Sequence, residues 1–361
     1  MAREKHDLMR RRLHNQRLAG SEFTTPEQIV AWLGAVQAQD YPGAKWGVAL
    51  RSDALTNTEL DASFDNGRIL RTHILRPTWH FVAAPDIRWM LELSAPRVHA
   101  SNAHMYRKLE LDDRVFARCR TIFRRTLKGG GALTRSELAA ALTKGGITAS
   151  GQRLAYIVMH EELDRTLTSG PRRGKQFTYM LLDERAPTAR RLAPDAALAE
   201  LTRRYFTGHG PATVRDFVWW SGLTVRQARG GIEMLGPQVV QETVGDLTYW
   251  NVPSKAPAAS DPARLYLLPN YDEYLIAYRD RGNVARLLTT AEAPREVDIY
   301  AHVLVLDGGF GGTWRRAQSS DAVEITVRPV DRLGREQARA LATAAARHGM
   351  FLGVTASVRS Q

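Results

Sequence analysis

Cysteine is almost missing from this chain of 361 residues, which contains one, Cys119. A single thiol cannot form a disulfide within a monomer and cannot build a cysteine metal cluster. No stretch approaches the run of about 18 apolar residues that a transmembrane helix needs, and the basic N-terminal segment lacks the apolar core of a signal peptide. We therefore expect a cytoplasmic protein that does not associate with membranes.

Signatures of the common cofactor and metal enzymes are missing as well. The chain carries neither the glycine fingerprint of dinucleotide-binding folds nor a Walker A loop, and it shows no regular alternation of strands and helices. The sequence HEELD, which begins at His160, lacks the second histidine of a zinc-protease helix. The G-x-S-x-G motif of α/β-hydrolases is also absent. We expect no cofactor and no metal.

Negative charge is in short supply. The chain has 38 Asp and Glu against 50 Lys and Arg, which gives a net charge of +12 and an isoelectric point of about 10.1. Basic surfaces attract polyanions, and the guanidinium group of arginine matches the geometry of phosphate. The charge therefore favours a nucleic acid as the partner. A generally basic surface, as in an arginine-rich proteome, is the alternative.

Capped helices recur along the chain. Thr25, Thr134 and Thr213 each precede a predicted helix with an acidic residue in its first turn, and Pro26 occupies the first helical position after Thr25. The first of these helices is expected to end near Gln37.

Segments rich in β-branched and aromatic residues follow the helices and predict hairpins at residues 69–83, 168–182 and 238–252. The repeated order predicts three helix-turn-helix units, each with a hairpin wing, in a predominantly helical α+β fold. We place the domains at residues 1–128, 129–192 and 193–361, the last with an added C-terminal β-sheet.

Basic residues cluster in the second predicted hairpin, where Arg172, Arg173 and Lys175 lie near a tip rich in Gly and Pro. Wings of such units reach a groove or the phosphates of DNA, so these three side chains are candidate phosphate contacts. Solvated surface charges are the alternative for each of them.

The sequence DGGFGGTWRR, residues 307–316, combines four glycines with Trp314, Arg315 and Arg316. Glycine permits positive φ and close approach of the backbone, so a slim hairpin with paired arginines could enter a DNA groove, which makes Trp314, Arg315 and Arg316 candidate DNA contacts. In the alternative, the hairpin buries the tryptophan in the core while one arginine faces solvent. The sequence leaves both open.

Two acidic residues, Asp272 and Glu273, follow a short predicted strand. One of them could be held near a cleft. The alternative is a turn at the strand end, in which the acids cap the backbone or pair with Arg279 and Arg281.

Gln37 and Gln39 flank one alanine at a predicted helix end. On a helix these residues would point apart, but in extended backbone they can share a face, and Tyr41 before Pro42 disfavours the α region. Two polar side chains solvating a helix terminus are the alternative. His80, in the first predicted hairpin, could line the same cleft and contact DNA, although a lone histidine is more often structural.

Four stretches, GAVQAQDYPGAKWGVALR, LRPTWHFVAAPD, LPNYDEYLIAYRDR and VLDGGFGGTWRR, together resemble the AlkZ family of bacterial DNA glycosylases. The resemblance runs from about residue 10 to the C-terminus. It implies three tandem winged helices that form a C-shaped DNA-binding channel. It also implies a Gln–apolar–Gln catalytic motif, which falls on Gln37 and Gln39. A related branch has Asp at the second position, where this chain has Gln39.

The activity implied by the resemblance is that of a monofunctional DNA glycosylase. Its substrates would be cationic alkylpurines, mainly guanine alkylated at N7, and interstrand crosslinks made by bis-alkylating natural products, which would give self-resistance to such a compound. A cationic purine departs as a neutral base, so no general acid is needed. A glutamine oxygen can hold the attacking water and stabilise the oxocarbenium ion.

The implied partner is double-stranded DNA that contains alkylated guanine or crosslinks, bound by a monomer near the nucleoid. A crosslinked base cannot swing freely out of the duplex, so we expect an open cleft instead of a tight base-flipping pocket. Two rivals remain: a non-catalytic winged-helix transcriptional regulator, and a resistance protein that sequesters a DNA-damaging drug.

Overall fold

The computed structural model describes residues 2–254, 265–281, 284 and 298–360. About half of this part is helical. Its helices are α1 (Ala2–Asn15), α2 (Pro26–Leu33), α3 (Tyr41–Ala49), α4 (Asn57–Asp65), α5 (Ile87–Lys108), α6 (Asp113–Leu127), α7 (Arg135–Lys144), α8 (Gly151–Leu163), α9 (Leu182–Arg185), α10 (Pro194–Gly208), α11 (Val214–Ser221), α12 (Val225–Leu235), α13 (Glu273–Ile276) and α14 (Arg335–Leu352). Among these described helices, none combines the length and apolar character required to cross a bilayer.

The strands form four sheets. They are β1 (Val36–Gln37), β2 (Ile69–His73), β3 (Trp79–Ala83), β4 (Leu133–Thr134), β5 (Leu167–Ser169), β6 (Thr178–Leu181), β7 (Val240–Val244), β8 (Leu247–Asn251), β9 (Leu265–Leu268), β10 (Val303–Leu306), β11 (Gly309–Gln318), β12 (Ala322–Pro329) and β13 (Thr355–Ser360). Helices and sheets together give an α+β fold, as the sequence predicts.

One order of elements occurs three times: helix, strand or bridge, two helices, and a hairpin. The first two copies are α2-β1-α3-α4-β2-β3 and α6-β4-α7-α8-β5-β6, with the sheet orders β1-β3-β2 and β4-β6-β5. In the third copy, α10-α11-α12-β7-β8, a bridge from Ala212 to Trp250 of β8 takes the place of the first strand. In each copy the last strand lies between the other two partners.

Side-chain caps determine where several helices begin. The hydroxyls of Thr25, Thr134 and Thr213 each accept a hydrogen bond from the backbone N–H of the third residue of their helix. The side-chain oxygen of that third residue accepts the backbone N–H of the cap. The predicted caps are confirmed. Helix α2, however, ends at Leu33 and not near Gln37, because Gly34 takes a positive φ of 80° and the chain then enters β1.

A five-stranded C-terminal sheet, with the order β13-β12-β11-β10-β9, packs against the first repeated unit. Trp46 of α3 contacts Phe351 of α14 at a ring-centroid distance of 5.2 Å, and its indole N–H donates to the carbonyl oxygen of Leu267 at 2.7 Å. The first unit and the C-terminal sheet therefore share one hydrophobic core.

A separate hydrophobic cluster fills the second unit. It includes Leu111 and Cys119 before α7 and reaches Tyr179 of β6. A third cluster joins the hairpin of the first unit to α5 and to the helices of the third unit. The second unit thus has its own core, whereas the first and third are built into their neighbours.

Candidate active site around Gln37 and Gln39

Strand β1 positions Gln37 in extended backbone, where it pairs with His80 of β3. The next residue, Ala38, is fully buried and donates its backbone N–H to the carbonyl oxygen of Trp79 at 2.7 Å. Gln37 is 6% exposed, whereas Gln39, one residue beyond Ala38, is exposed. Pairing with β3 therefore fixes the chain up to Ala38 and releases Gln39 to the surface.

The side chain of Gln37 is held by Arg76, from the turn between β2 and β3. Nη2 of Arg76 donates to Oε1 of Gln37 at 2.9 Å. A guanidinium has donors only, so the amide oxygen must face Arg76 and the NH₂ group must face away. Burial lowers the pKa of Arg76, and the charge of Glu273 opposes that shift.

Glu273, at the start of α13, supports the same strand from behind. Its side chain is fully buried; Oε1 accepts the backbone N–H of Gln37 at 2.8 Å, and Oε2 accepts the indole N–H of Trp220 at 2.9 Å. The imidazole Nε2 of His209 lies 3.4 Å from Oε2. This carboxylate thus links β1 to the helices of the third unit.

The structure decides between the alternatives for the two acids of the predicted turn. Glu273 is fully buried against the backbone of Gln37, whereas Asp272 follows the alternative of an acid that caps the backbone. Asp272 binds Arg51 through two bonds of 2.9 Å and caps the backbone N–H of Tyr274. Pairing with Arg279 or Arg281 is wrong for both acids.

Asp40 adds a carboxylate directly after Gln39. It is half-buried at the start of α3, where Gly43 allows a close approach: a Cβ on Gly43 would lie 2.8 Å from Oδ2 of Asp40. Burial lowers the pKa values of Arg316 and His302, and the negative charge of Asp40 opposes both shifts. Asp40 therefore brings negative charge to the exposed glutamine and lies within electrostatic reach of Arg316.

His80 does not face the cleft. It is fully buried, and Nδ1 lies 2.9 Å from the carbonyl oxygen of Thr78. Burial, assisted by the charge of Arg76, lowers the pKa of His80 to about 3. The prediction that His80 contacts DNA is wrong, because this neutral imidazole lies inside the core beneath the hairpin.

The glycine-rich hairpin also differs from the DNA-gripping interpretation. Its turn, at Asp307 and Gly308, packs against α1: the hydroxyl of Tyr274 donates to the carbonyl oxygen of Gly308 at 2.8 Å, and a Cβ there would lie 3.1 Å from Met9. Trp314 is 4% exposed, and its indole N–H donates to Leu268 at 2.8 Å. The prediction that Trp314 contacts DNA is therefore wrong.

Arg315 and Arg316 follow Trp314 in β11 and point to opposite faces, as successive strand residues must. Arg315 is exposed, whereas Arg316 is half-buried with Nη1 3.0 Å from Nε2 of His348. The structure matches the alternative with the tryptophan in the core and one arginine facing solvent.

The second hairpin presents its three cations differently from one another. Arg172 lies over the ring of Tyr41 at 4.9 Å, with Nη1 3.8 Å from Asp61, and Arg173 binds Glu137 at 2.7 Å. Lys175 is exposed. All three remain candidate phosphate contacts, of which Arg173 and Lys175 are exposed and Arg172 is half-buried.

One cluster of possible metal ligands lies in the described part of the chain, formed by His99, His160 and Asp164. Their ligand atoms all lie within 4.8 Å of one another, at the contact between α5 and α8. Arg120 already pairs with Asp164, and Nδ1 of His99 lies 3.0 Å from the hydroxyl of Tyr106. The positive charge of the Arg120 guanidinium disfavours a metal ion at this cluster. None of the three residues belongs to the segment of Gln37 and Gln39.

Sequence reasoning did not identify Arg76 or Asp40 as parts of the site. Arg76 directly precedes Pro77 in a hairpin turn, and Asp40 directly follows Gln39. Charged residues that adjoin a candidate motif or a turn facing it are the signal that would have identified them.

A family model described as "DNA glycosylase AlkZ-like" matches residues 30–351. An interstrand DNA cross-link repair glycosylase from Streptomyces sahachiroi is 23% identical over 333 residues, which cover 84% of this chain and 85% of that protein. The solved structure of Streptomyces sahachiroi DNA glycosylase AlkZ is 20% identical and has a TM-score of 0.78, with 99% of each chain covered.

The structural likeness supports the fold, and the family match covers both glutamines together with Arg76 and Glu273. With that match across most of its length, the chain belongs to the AlkZ-like family of DNA glycosylases, as the sequence predicts.

Proposed function

We propose that this enzyme is a monofunctional glycosylase that hydrolyses the N-glycosidic bond of cationic alkylpurines, mainly N7-alkylguanine. The observation that carries the proposal is the pair of amides at Gln37 and Gln39, one fixed by Arg76 and one exposed. Two amides, which are weak bases, are sufficient because the cationic purine leaves as a neutral base.

The two amides have different roles in this proposal. Oε1 of Gln37 accepts a hydrogen bond from Arg76 through one of its two lone pairs, so Gln37 is the amide whose orientation is fixed. Gln39 is exposed, and its carbonyl oxygen can accept a hydrogen bond from the attacking water and face the positively charged sugar. The carboxylate of Asp40 supplies negative charge nearby.

The neutral base leaves without a proton from the enzyme, because alkylation at N7 has already made the purine cationic. Positioning of the water and stabilisation of the oxocarbenium ion are then the remaining requirements. The opposite charges of Arg76 and Glu273 keep the support behind Gln37 close to neutral, which limits repulsion of the cationic lesion.

We also propose that the three repeated units are winged helices that form a C-shaped channel for the duplex, with domains at residues 1–128, 129–192 and 193–361. The shared element order and the repeated position of the last strand support this. The protein would act as a monomer near the nucleoid, with Arg315, Arg316, Lys175, Arg172 and Arg173 as candidate DNA contacts.

Interstrand crosslinks are the second proposed substrate. The Streptomyces relative is described as a cross-link repair glycosylase, and Gln39 lies at the surface instead of in a deep pocket, which suits a base that stays tied to the opposite strand. Removal of such lesions would give self-resistance to a DNA-alkylating natural product.

The test is release of 7-methylguanine from a defined duplex in single-turnover reactions, read as strand cleavage after alkali. Gln39→Ala should slow release by about 10²-fold or more, and Gln152→Ala, an exposed glutamine on α8, is the matched control. Unchanged rates for both Gln37→Ala and Gln39→Ala would refute the assignment. Sequence-specific binding without base release would favour a regulator, and binding of drug without DNA would favour a sequestering protein.

A further inference from the structure

A cavity of about 620 Å³ lies between the hairpin of the first unit and the second unit. Arg71, Trp79 and Phe177 form one part of its wall, and Arg135, Ser136 and Lys175 form another. Ser136 and Lys175 are exposed, so the cavity opens to the surface where the second hairpin begins to turn. The cavity therefore lies between the hairpin of the first unit, β2 and β3, and the basic hairpin of the second.

Arg71 is the buried cation of this cavity. It is 7% exposed, and its guanidinium lies between the rings of Trp79 and Phe177, 4.2 and 4.5 Å from their centroids. Nε donates to the carbonyl oxygen of Ala38 at 2.9 Å, and the two terminal nitrogens donate to no acceptor in the part of the chain that the structure describes. The charge of the buried Glu162 acts on Arg71 from within the protein, and the unused donors of the guanidinium favour a further anion in the cavity.

Helix α7 points its N-terminus at the same cavity. The capping box uses the backbone N–H groups of Thr134 and Glu137, which leaves those of Arg135 and Ser136 for an external acceptor. The carboxylate of Glu137 is turned to Thr134 and Arg173, so its charge is already paired. Cations, helix dipole and free donors thus converge on one open space.

We propose that this cavity binds a backbone phosphodiester of the DNA strand that carries the lesion, between Arg71, Arg135 and the N-terminus of α7. The assignment rests on the proposed function. Arg71 then bridges the phosphate and the carbonyl oxygen of Ala38, which lies between Gln37 and Gln39. It acts as a positioning residue, because binding at a remote phosphate fixes the backbone that carries both amides.

A charge-neutralising scan of the duplex tests the site. Single methylphosphonates replace successive phosphates around 7-methylguanine, and the affinity of the intact enzyme is measured by fluorescence anisotropy. At one position, the methylphosphonate should weaken binding of the wild type by about tenfold. At the same position, the methylphosphonate should weaken binding of Arg135→Ala by less than twofold. Arg125→Ala, an exposed arginine of α6 outside the cavity, should respond like the wild type.

Arg71→Lys tests the positioning role. Lysine keeps the charge but cannot span both acceptors in the fork geometry of a guanidinium. In Arg71→Lys, the factor by which the single-turnover rate falls should be at least ten times the factor by which duplex affinity falls. Replacing the methylphosphonate at the sensitive position by a phosphate should restore the full rate in the wild type, which has Arg71, and should not do so in Arg71→Lys. A merely structural role for Arg71 would lower the melting temperature and leave the methylphosphonate response of the remaining folded enzyme unchanged.

Three results would overturn the proposal. The first is a scan in which no methylphosphonate position depends on Arg135. The second is a salt dependence of duplex binding that is the same in Arg135→Ala as in the wild type. The third is that millimolar inorganic phosphate competes with the duplex in the wild type but not in Arg135→Ala, although Arg135→Ala binds the duplex as well as the wild type does. Failure of the proposed function is separate: a wild-type enzyme that releases no base, but shows the coupled methylphosphonate response, would retain the phosphate site and lose the glycosylase assignment.

Discussion

The guanidinium of Arg76 and the side-chain oxygen of Gln37 lie 2.9 Å apart, although 39 positions separate the two residues in the chain. This contact fixes which end of the amide faces outwards. Arg76 thereby fixes the amide to which we assign a catalytic role, and the charge of Glu273 acts on Arg76 while its carboxylate binds the backbone N–H of Gln37. The site thus combines the amide of Gln37, fixed by a hydrogen bond from Arg76, with the exposed amide of Gln39.

Arg76→Ala should slow release of 7-methylguanine by about 10²-fold, because the Gln37 amide becomes free to rotate. Duplex affinity should change less than threefold, since the guanidinium of Arg76 donates to Gln37 within the protein. Rates and affinities are measured on the same duplex, with Arg107→Ala, an exposed arginine of α5, as the control. Equal losses in affinity and rate would indicate that Arg76 binds DNA instead of holding Gln37.

Asp40→Asn should slow base release by about tenfold, or about 1.4 kcal/mol of barrier, because a negative charge near the forming oxocarbenium ion is lost. The isosteric amide keeps the packing against Gly43, and thermal melting should show this. The comparison variant is Asp53→Asn, at an exposed position just after α3. A rate equal to the wild type would exclude an electrostatic role for Asp40.

Acid should destabilise the protein through two buried histidines. Burial lowers the pKa values of His80 and His348 to about 3, so both stay neutral when folded while the unfolded chain takes up protons below its ordinary pKa of about 6.5. The free energy of unfolding should therefore fall as the pH drops from 6.5 to 5, by up to about 1.4 kcal/mol per pH unit for each histidine.

Urea denaturation of His80→Gln and His348→Gln at several pH values measures this effect. Each variant should have a shallower pH dependence than the wild type, whatever its stability at pH 7. His104→Gln, exposed on α5, should keep the wild-type slope. Parallel slopes for all four proteins would show that other groups cause the acid sensitivity.

Trp314 and Arg315 are neighbours in β11 with opposite expected effects. Trp314→Ala should cost about 3 kcal/mol or more of stability, because a large buried ring and its bond to Leu268 are removed. Arg315→Ala should change stability by less than about 0.5 kcal/mol. If Arg315 contacts a phosphate, its removal lowers the slope of log affinity against log salt by about 0.9; an unchanged slope would remove it from the interface.

Local features of the fold were predictable from the sequence. Thr25, Thr134 and Thr213 cap helices through hydrogen bonds between the cap residue and the residue three positions later. These bonds are local, so they need no contact with distant parts of the chain. The hairpins followed from runs of β-branched and aromatic residues. The end of α2 was misplaced because β1 contains only two residues, too few for a periodic pattern, and depends on pairing with β3.

The surroundings of the glutamines were not predictable in the same way. Glu273 reaches Gln37 across 236 positions, and Arg71 reaches Ala38 across 33, so both contacts depend on how whole units pack. The same holds for Trp314, whose burial depends on β9 and α14 closing over it. The glutamines were identified as a candidate site because four stretches, in order, resemble the AlkZ family. Their spacing alone is also compatible with two solvated side chains at a helix end.

The lone thiol has a practical consequence. Cys119 is fully buried in the core of the second unit, and burial raises its pKa to about 12, so it will not react with maleimides while the protein is folded. No cysteine therefore needs to be removed before labelling. In Thr188→Cys, at an exposed position after α9, the new thiol can carry a fluorophore, and energy transfer to a dye on the duplex end can report, molecule by molecule, how the second unit approaches damaged DNA.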